Sequence, residues 1–421
     1  MSQLNVTQLD NIDKGNLNVQ VTSSINYLPV EDATVTISFT GAPNETIEQL
    51  KTNSIGRTET LELAAPPVEY SLDITNTQQP YSEYTIEISA PGYNNLSVSG
   101  AEILSGITAI QSVRLVPSDS PFDVSNDFVV PAHTLYGDYP GKIPESEIKP
   151  VNESGEIVLP RVVIPEFIVV HDGSPSDSTA KDYYIPYKEY IKNVASSEIY
   201  ATWPTETIRA NVLAIMSFVL NRVYTEWYRN KGYDFTVTTS TAFDQKFIPG
   251  RNIYDTISVI VDELFTDYLS RPNVRQPILT QYCDGKQVQC PNWMTQWGSK
   301  YLGDQGYTAI EILRYYYGQD LYINTAPEVS GVPVSWPGFT LQRGSRGDAV
   351  RTIQEQLNGI SKGYPLIPKL DADGIYGPKT EESVRVFQSV FDLPETGVVD
   401  YRTWYKISQI FVGVTRIAEL N

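Results

Sequence analysis

Two periods divide the chain. Between residues 17 and 116, apolar and polar residues alternate in short runs, LNVQVTSS, ATVTISFTG, TETLELAA, YSLDITN, YTIEISA, LSVSGAEI and QSVRLVP, with Gly, Pro and Asn turns between them. Alternation turns one face of each strand to a core, so these runs predict a small β-sandwich. Residues 117–165 are rich in Pro, Ser and acids and keep no period, which predicts a linker or a loop draped over a neighbour. Beyond residue 166 the period lengthens. After Pro186, a good helix opener, Tyr187, Tyr190, Ile191 and Val194 recur at the three-and-four spacing of one helical face, with Lys188, Glu189, Lys192 and Asn193 on the wet side. A second helix opens at Pro204, with Glu206 in its first turn, and is expected to end near Gly232; its apolar face is broad enough for a buried helix. After a second linker, residues 340–421 read as a helical tail with Val350, Ile353, Leu357, Val384 and Phe387 as its core. The fold class expected is therefore multidomain α+β. An N-terminal β-sandwich (1–116) is followed by a linker (117–165), a central α+β domain (166–326), a short linker (327–339) and a C-terminal three-helix domain (340–421).

One residue breaks the pattern. Four positions after Val194 stands Glu198, an acid that continues a core-facing stripe. Partial burial and the negative end of the helix dipole both disfavour an ionised carboxyl there. An acid that keeps its proton near neutrality can protonate a leaving oxygen, the general-acid half of glycosidic bond cleavage. The structural alternative is a glutamate that caps the helix junction or meets Arg209 or Arg222.

Composition narrows the chemistry. The chain has 421 residues, 28 of them tyrosine, and a formal net charge of −19, which argues against nucleic acid and anionic membranes as partners. The acidity is uneven: residues 1–165 hold 7 Lys+Arg against 21 Asp+Glu (−14), and residues 166–421 hold 24 against 29 (−5). No apolar run approaches a spanning helix, and the first twenty residues contain no signal-peptide core, so synthesis as a soluble protein without membrane insertion is expected. Cys283 and Cys290 are the two cysteines, His133 and His171 the two histidines. The cysteines can form a small disulfide loop or stay reduced; with no histidine near them a four-ligand zinc site is unsupported, and no metal or cofactor is expected. His171 has no nucleophile-elbow pattern beside it and reads as a satisfied loop residue.

The tail's LQRGSRGDAVRTIQEQLN and DADGIYGPKTEESVRVFQSVFDLPETGVVDYRTW resemble the three-helix peptidoglycan-binding domain over nearly its whole length. Asp373, Gly374 and Gly377 build the turn before its second helix, and Pro394 with Gly397 the turn before its third. YIKNVASSEIYATWPTETIRANVLAIMSFVLNRVY and WMTQWGSKYLGDQGYTAIEILRYYYG resemble the stage II sporulation protein D family of lytic transglycosylases over roughly residues 183–325. That resemblance implies Glu198 as the catalytic acid, set just before a Trp-Pro helix start. The order of segments is similar to that of clostridial spore cortex-lytic enzymes. It implies a lytic transglycosylase of cortex peptidoglycan, stored in the spore as an inactive precursor and activated by a protease.

There are departures. Met216 stands where the sporulation family commonly has an arginine, and STAFDQKF has neither the Cys nor the His of that family's zinc cluster. A substrate clamp must come from elsewhere; Gln281, Tyr282, Gln296 and Trp297 are candidates by position. One acid suffices for a transglycosylase, whereas a hydrolase needs a second, such as Asp284. A non-catalytic wall-binding spore protein is the reading from another class. Two further expectations concern assembly and activation. Nothing points to an obligate partner, so a monomer is expected, and the acidic first 160 residues are read as a removable inhibitory segment with a protease target at VLPRVV, residues 158–163.

Overall fold

Alternate residues of the strand Asp13–Ser23 are buried, Leu17, Val19 and Val21 among them, because a pleated strand turns every second side chain to one face. In the computed structural model, which describes residues 13–25, 27–120, 127–149, 159, 161–331 and 336–415, this strand pairs parallel with Thr108–Leu115 and antiparallel with Leu61–Ala65. A second sheet runs in the order Thr46–Lys51, Thr34–Phe39, Ser82–Ser89, Leu96–Ile103, Asp127–Val129. Val35, Ile37, Ile86, Ile88 and Val98 are buried in the same core as Val19 and Val21, so the expected sandwich is present.

Its boundary is not at residue 116. Ile253–Tyr254 of the central segment completes the first sheet beside Thr108–Leu115, and Asp127–Val129 of the expected linker completes the second beside Leu96–Ile103. Main-chain hydrogen bonds made by two- and three-residue strands leave no period to read. YSLDITN, expected as a strand, opens instead with the end of a one-turn helix, α1 (Glu69–Leu72), whose Ser71 carbonyl accepts a hydrogen bond from the Trp203 indole. A tertiary contact overrides the local pattern there. Thr46–Lys51, not anticipated as a strand, is an edge strand with no buried residue and so no alternation.

In the central segment, Phe167–His171 lies between Asp182–Pro186 and Val237–Thr238. Helix α2 (Tyr187–Glu198) packs on this small sheet, and α3 (Thr205–Tyr224) is the helix against which α2, α4 (Asp255–Leu264), α5 (Gln296–Asp304) and α6 (Ala309–Tyr317) pack. Helix α3 is buried along nearly its whole length but ends at Tyr224, not near Gly232; that glycine, at φ 83°, instead closes a separate 3-10 turn, Arg229–Lys231. The expected wet side of α2 is also corrected. Lys188 and Lys192 are buried against α4, where Asp262 takes them at 3.1 Å and 2.7 Å, and Asn193 is buried by the loop before α4, donating to the Ile248 carbonyl and accepting from its N–H.

Residues 130–149 form an ordered strap over the central segment. Thr134 donates to the Ser197 carbonyl, Ile143 N–H to the Ala242 carbonyl, and Lys149 N–H to Gln276 Oε1. Of the expected protease target at 158–163, residues 159 and 161–163 are described: Arg161 pairs with Glu328 at 2.5 Å, Val162 is buried, and Val163 lies in a strand. The second linker is partly ordered as well, with Glu328–Val329 running parallel to Val163–Ile164.

The tail holds α7 (Asp348–Ile360), α8 (Pro378–Val390) and α9 (Tyr401–Thr415), and all five expected core residues are fully buried. A buried glutamine on each of the first two helices organises the turn that follows. Gln354 accepts from Gly374 N–H and donates to Asp373 and Thr380; Gln388 accepts from Gly397 N–H and donates to Thr396 and Thr403. Gly374 and Gly397 sit at φ 72° and 67°, so both turns need glycine. The tail docks on both other domains, through Arg57 on Asp392 at 2.8 Å and Arg402 on Glu263 at 3.0 Å. Among the described residues, no helix is long and apolar enough to cross a membrane.

Candidate active site

Glu198 is the last residue of α2. The chain turns extended at Ile199, and Pro204 then opens α3, so the carboxyl stands at the elbow between two buried helices. The residue is only 2% exposed. Its Oε1 accepts from Lys246 N–H at 2.7 Å and its Oε2 from the Tyr282 hydroxyl at 2.5 Å. Neither oxygen touches Arg209 or Arg222: Arg209 pairs with Glu263, and Arg222 with Glu145 and Asp244.

Tyr282 is itself held. Its oxygen accepts from Gln245 Nε2 at 3.0 Å; Gln245 Nε2 also donates to the Ile215 carbonyl at 3.0 Å, and Gln245 Oε1 accepts from the Tyr190 hydroxyl at 3.0 Å. Burial pushes the Tyr282 and Tyr190 phenols well above the ordinary range, with nearby carboxylates, Glu198 among them, adding to the shift, so both remain protonated donors.

A cavity of about 50 Å³ opens beside this carboxyl, lined by Glu198, Tyr282, Asp284 and Gln296 and by Tyr139 and Lys142 of the strap. It is far smaller than the ~300 Å³ and more of ordinary ligand sites and admits no sugar ring. The strap forms part of its wall. Lys142 Nζ lies 4.7 Å from the Tyr282 ring centre and donates to the Asp244 carbonyl. Burial lowers the pKa of that lysine, with Glu198 and Asp244 opposing the shift.

The other carboxylates nearby are occupied. Asp284 accepts from Gln287 and Val288 N–H within the loop closed by the Cys283–Cys290 disulfide. Asp244 is held by Arg222, Tyr228 and Thr238. A second cavity, of about 340 Å³, is lined by Trp227, Tyr228 and Phe235 among others and shares no lining residue with the first.

The four candidates for a substrate clamp separate. Tyr282 and Gln296 line the cavity. Gln281 turns the other way and clasps the strap, accepting from Glu145 N–H at 2.8 Å and donating to the Ile143 carbonyl at 2.7 Å. Trp297 packs in an aromatic cluster with Trp203, ring centres 5.1 Å apart, and Tyr200. Sequence reasoning missed Gln245, Lys246 and Lys142. STAFDQKF was noted for lacking zinc ligands, and nothing in it signals a main-chain donor. His171, on the strand Phe167–His171, pairs with Asp182 and stacks on Phe235. Among the described residues, no group of three His, Cys, Asp or Glu could hold a metal ion.

Fold and site together define a multidomain protein with a buried acid, Glu198, at a cavity beside a strap, and a three-helix tail. Residues 346–407 match the family model described as "Putative peptidoglycan binding domain", so the chain carries a domain of that type and peptidoglycan is a supported partner. A curated relative, the zinc D-Ala-D-Ala carboxypeptidase of Streptomyces albus G, is 39% identical over 77 residues, 18% of this chain and 28% of that protein. The chain therefore spans under a third of that relative's length. Among solved structures, the SleB N-terminal domain is 26% identical and covers 18% of this chain and 99% of its own, at a TM-score of 0.16. The minor pilin GBS52 of Streptococcus agalactiae is 12% identical and covers 27% of this chain and 49% of its own, at a TM-score of 0.18. At those scores no reading of this chain follows from either likeness.

Proposed function

We propose that the chain is a lytic transglycosylase of spore cortex peptidoglycan, held closed as a precursor. The observation that carries the reading is a buried carboxyl, Glu198, that lines a cavity walled in part by the strap, in a chain that also bears a peptidoglycan-binding tail. With the strap withdrawn, Glu198 gives its proton to the oxygen between muramic acid and the next glucosamine as that bond breaks. The resulting carboxylate takes the proton of the muramic 6-hydroxyl as it attacks its own anomeric carbon, leaving a 1,6-anhydro end. No second carboxylate is needed. The hydrolase alternative asks Asp284 to activate water, but both of its oxygens are engaged by main-chain donors of its own loop.

The setting proposed is the cortex or coat region of a spore, with an activating protease acting in the segment that includes residues 158–163 and the enzyme working as a monomer. The resemblance to the stage II sporulation protein D family supports this reading, as does the closed cavity. The test is Glu198→Gln in the full chain after proteolytic activation, with muropeptides read by mass spectrometry. Wild type is expected to release anhydro-ended products and the variant to lose several orders of magnitude in rate. Reducing ends would establish a hydrolase, and near-normal release by the variant would remove Glu198 from the mechanism.

A further inference from the structure

We propose that Tyr282 is a positioning residue for Glu198, the last donor of a one-way hydrogen-bond chain, and not a contact to substrate; the proposal rests on reading Glu198 as the catalytic acid. The direction of the chain follows from its ends. The Ile215 carbonyl can only accept, so Gln245 must present its amide nitrogen there, and its amide oxygen must face the Tyr190 hydroxyl. The second N–H of that nitrogen then points at Tyr282. The Tyr282 oxygen is an acceptor from Gln245, and its own proton is left for Glu198 Oε2 at 2.5 Å. Lys246 N–H fixes Oε1 from the other side.

Two consequences follow. The carboxyl cannot rotate without breaking hydrogen bonds in a site that is 2% exposed, so its reactive face stays aimed at the cavity. Nor can its proton escape inward, because an amide nitrogen has no lone pair with which to receive one from Tyr282. Proton exchange is confined to the cavity side, where a leaving oxygen would sit. The chain also links separate elements: Tyr190 is on α2 two turns before Glu198, Ile215 is on α3, and Tyr282 is on the strand Tyr282–Cys283.

Tyr282→Phe keeps the ring and removes the donor. It is expected to lower kcat about 10- to 100-fold with KM unchanged, since small losses of alignment cost on that order. It is also expected to move the alkaline limb of the pH–rate profile upward, because a carboxylate that loses a donor is less favoured in its ionised form. Gln245→Leu frees the Tyr282 hydroxyl to turn and is expected to give a smaller effect of the same kind. Kinetics use the full chain cut at a site-specific protease sequence inserted between Lys149 and Leu159. The uncut full chain is followed in parallel by infrared titration of the carboxyl band that Glu198→Gln removes. A higher titration midpoint for that band in Tyr282→Phe supports the proposal, and an unchanged midpoint overturns it. A raised KM with kcat held also overturns it, in favour of substrate contact. Should Glu198→Gln stay active, the catalytic reading fails by itself, and the infrared arm still decides whether Tyr282 sets the state of Glu198.

Discussion

Glu102 and Arg251 offer a quantitative test of how the N-terminal sandwich is joined to the rest. Glu102 ends a sandwich strand and Arg251 precedes the two residues that the central segment lends to the sandwich. Both side chains are buried, and the guanidinium meets both carboxylate oxygens, at 2.9 and 2.6 Å, while also donating to the Ser196 carbonyl. Glu102→Gln keeps the shape and strips Arg251 of its counter-charge. Breaking a buried pair from one side costs about 3–5 kcal/mol, because the remaining charge stays desolvated. At about 2–4 °C per kcal/mol, that predicts a fall in melting temperature on the order of 10 °C. Arg57→Ala is the control. It breaks another sandwich contact, to Asp392, whose side chain is 47% exposed, and exposed pairs are worth about 1 kcal/mol or less. The assay is calorimetry on the full chain. Wild type is expected to unfold its sandwich and central segment together, Glu102→Gln to separate or sharply lower that transition, and the double change of both residues to Met to recover most of the loss. A Glu102→Gln protein no less stable than Arg57→Ala would refute the reasoning.

Two further outcomes are expected. Burial and then Lys192 pull Lys406 down to about 8, with Lys188 adding and Asp262 and Glu189 opposing. A lysine depressed on docking from its ordinary 10.5 favours the docked tail above that pH and loses the contribution as pH falls toward 8, by at most about 3 kcal/mol. Scattering of the full chain should therefore show looser docking at pH 7 than at pH 10.5, and Lys406→Met should remove the difference; equal pH dependence in both proteins would refute it. Residues 340–421, whose first two helices bury Val350, Ile353, Leu357, Val384 and Phe387, are expected to pellet with purified peptidoglycan when expressed alone, and a tail left in the supernatant would refute that.

What was legible follows from where the information lay. Glu198 stood out because an acid on an apolar stripe is a violation visible at four-residue spacing, and the structure buries it. The tail was legible because its apolar stripes, Val350, Ile353 and Leu357 on one helix and Val384 and Phe387 on the next, keep a helical period. The wet side of α2 was misread because Lys188 and Lys192 are lysines at helical spacing whether they face water or Asp262; the partner comes from a helix some seventy residues later. Of the donors to Glu198, Tyr282 was singled out by position, but as a substrate clamp, and the Lys246 main-chain N–H has no signal in the sequence at all. The sandwich boundary failed for a similar reason: strands of two or three residues have no period.

These contacts change how closure of the site is best understood. The first 165 residues carry −14 of the −19 charge, and like charges repel, so one route to closure is repulsion of the carboxylates of peptidoglycan stems. Such repulsion is screened beyond about 8 Å at physiological ionic strength. The strap, in contrast, lines the cavity directly and leaves about 50 Å³ beside Glu198, which no salt concentration enlarges. On the proposed precursor reading, closure would be steric first, and added salt alone should not open it. Nor is the sandwich a detachable cover. Removing it takes Glu102 from Arg251 and the strand partner from Ile253–Tyr254, and Arg251 is the residue that holds the Ser196 carbonyl two positions before Glu198. The segment that blocks the cavity and the segment that braces the acid's helix are thus different parts of the same N-terminal region. On the same precursor reading, a cut at 158–163 leaves both on one N-terminal fragment, so activation would require that the strap leave while the elbow of α2 keeps its shape.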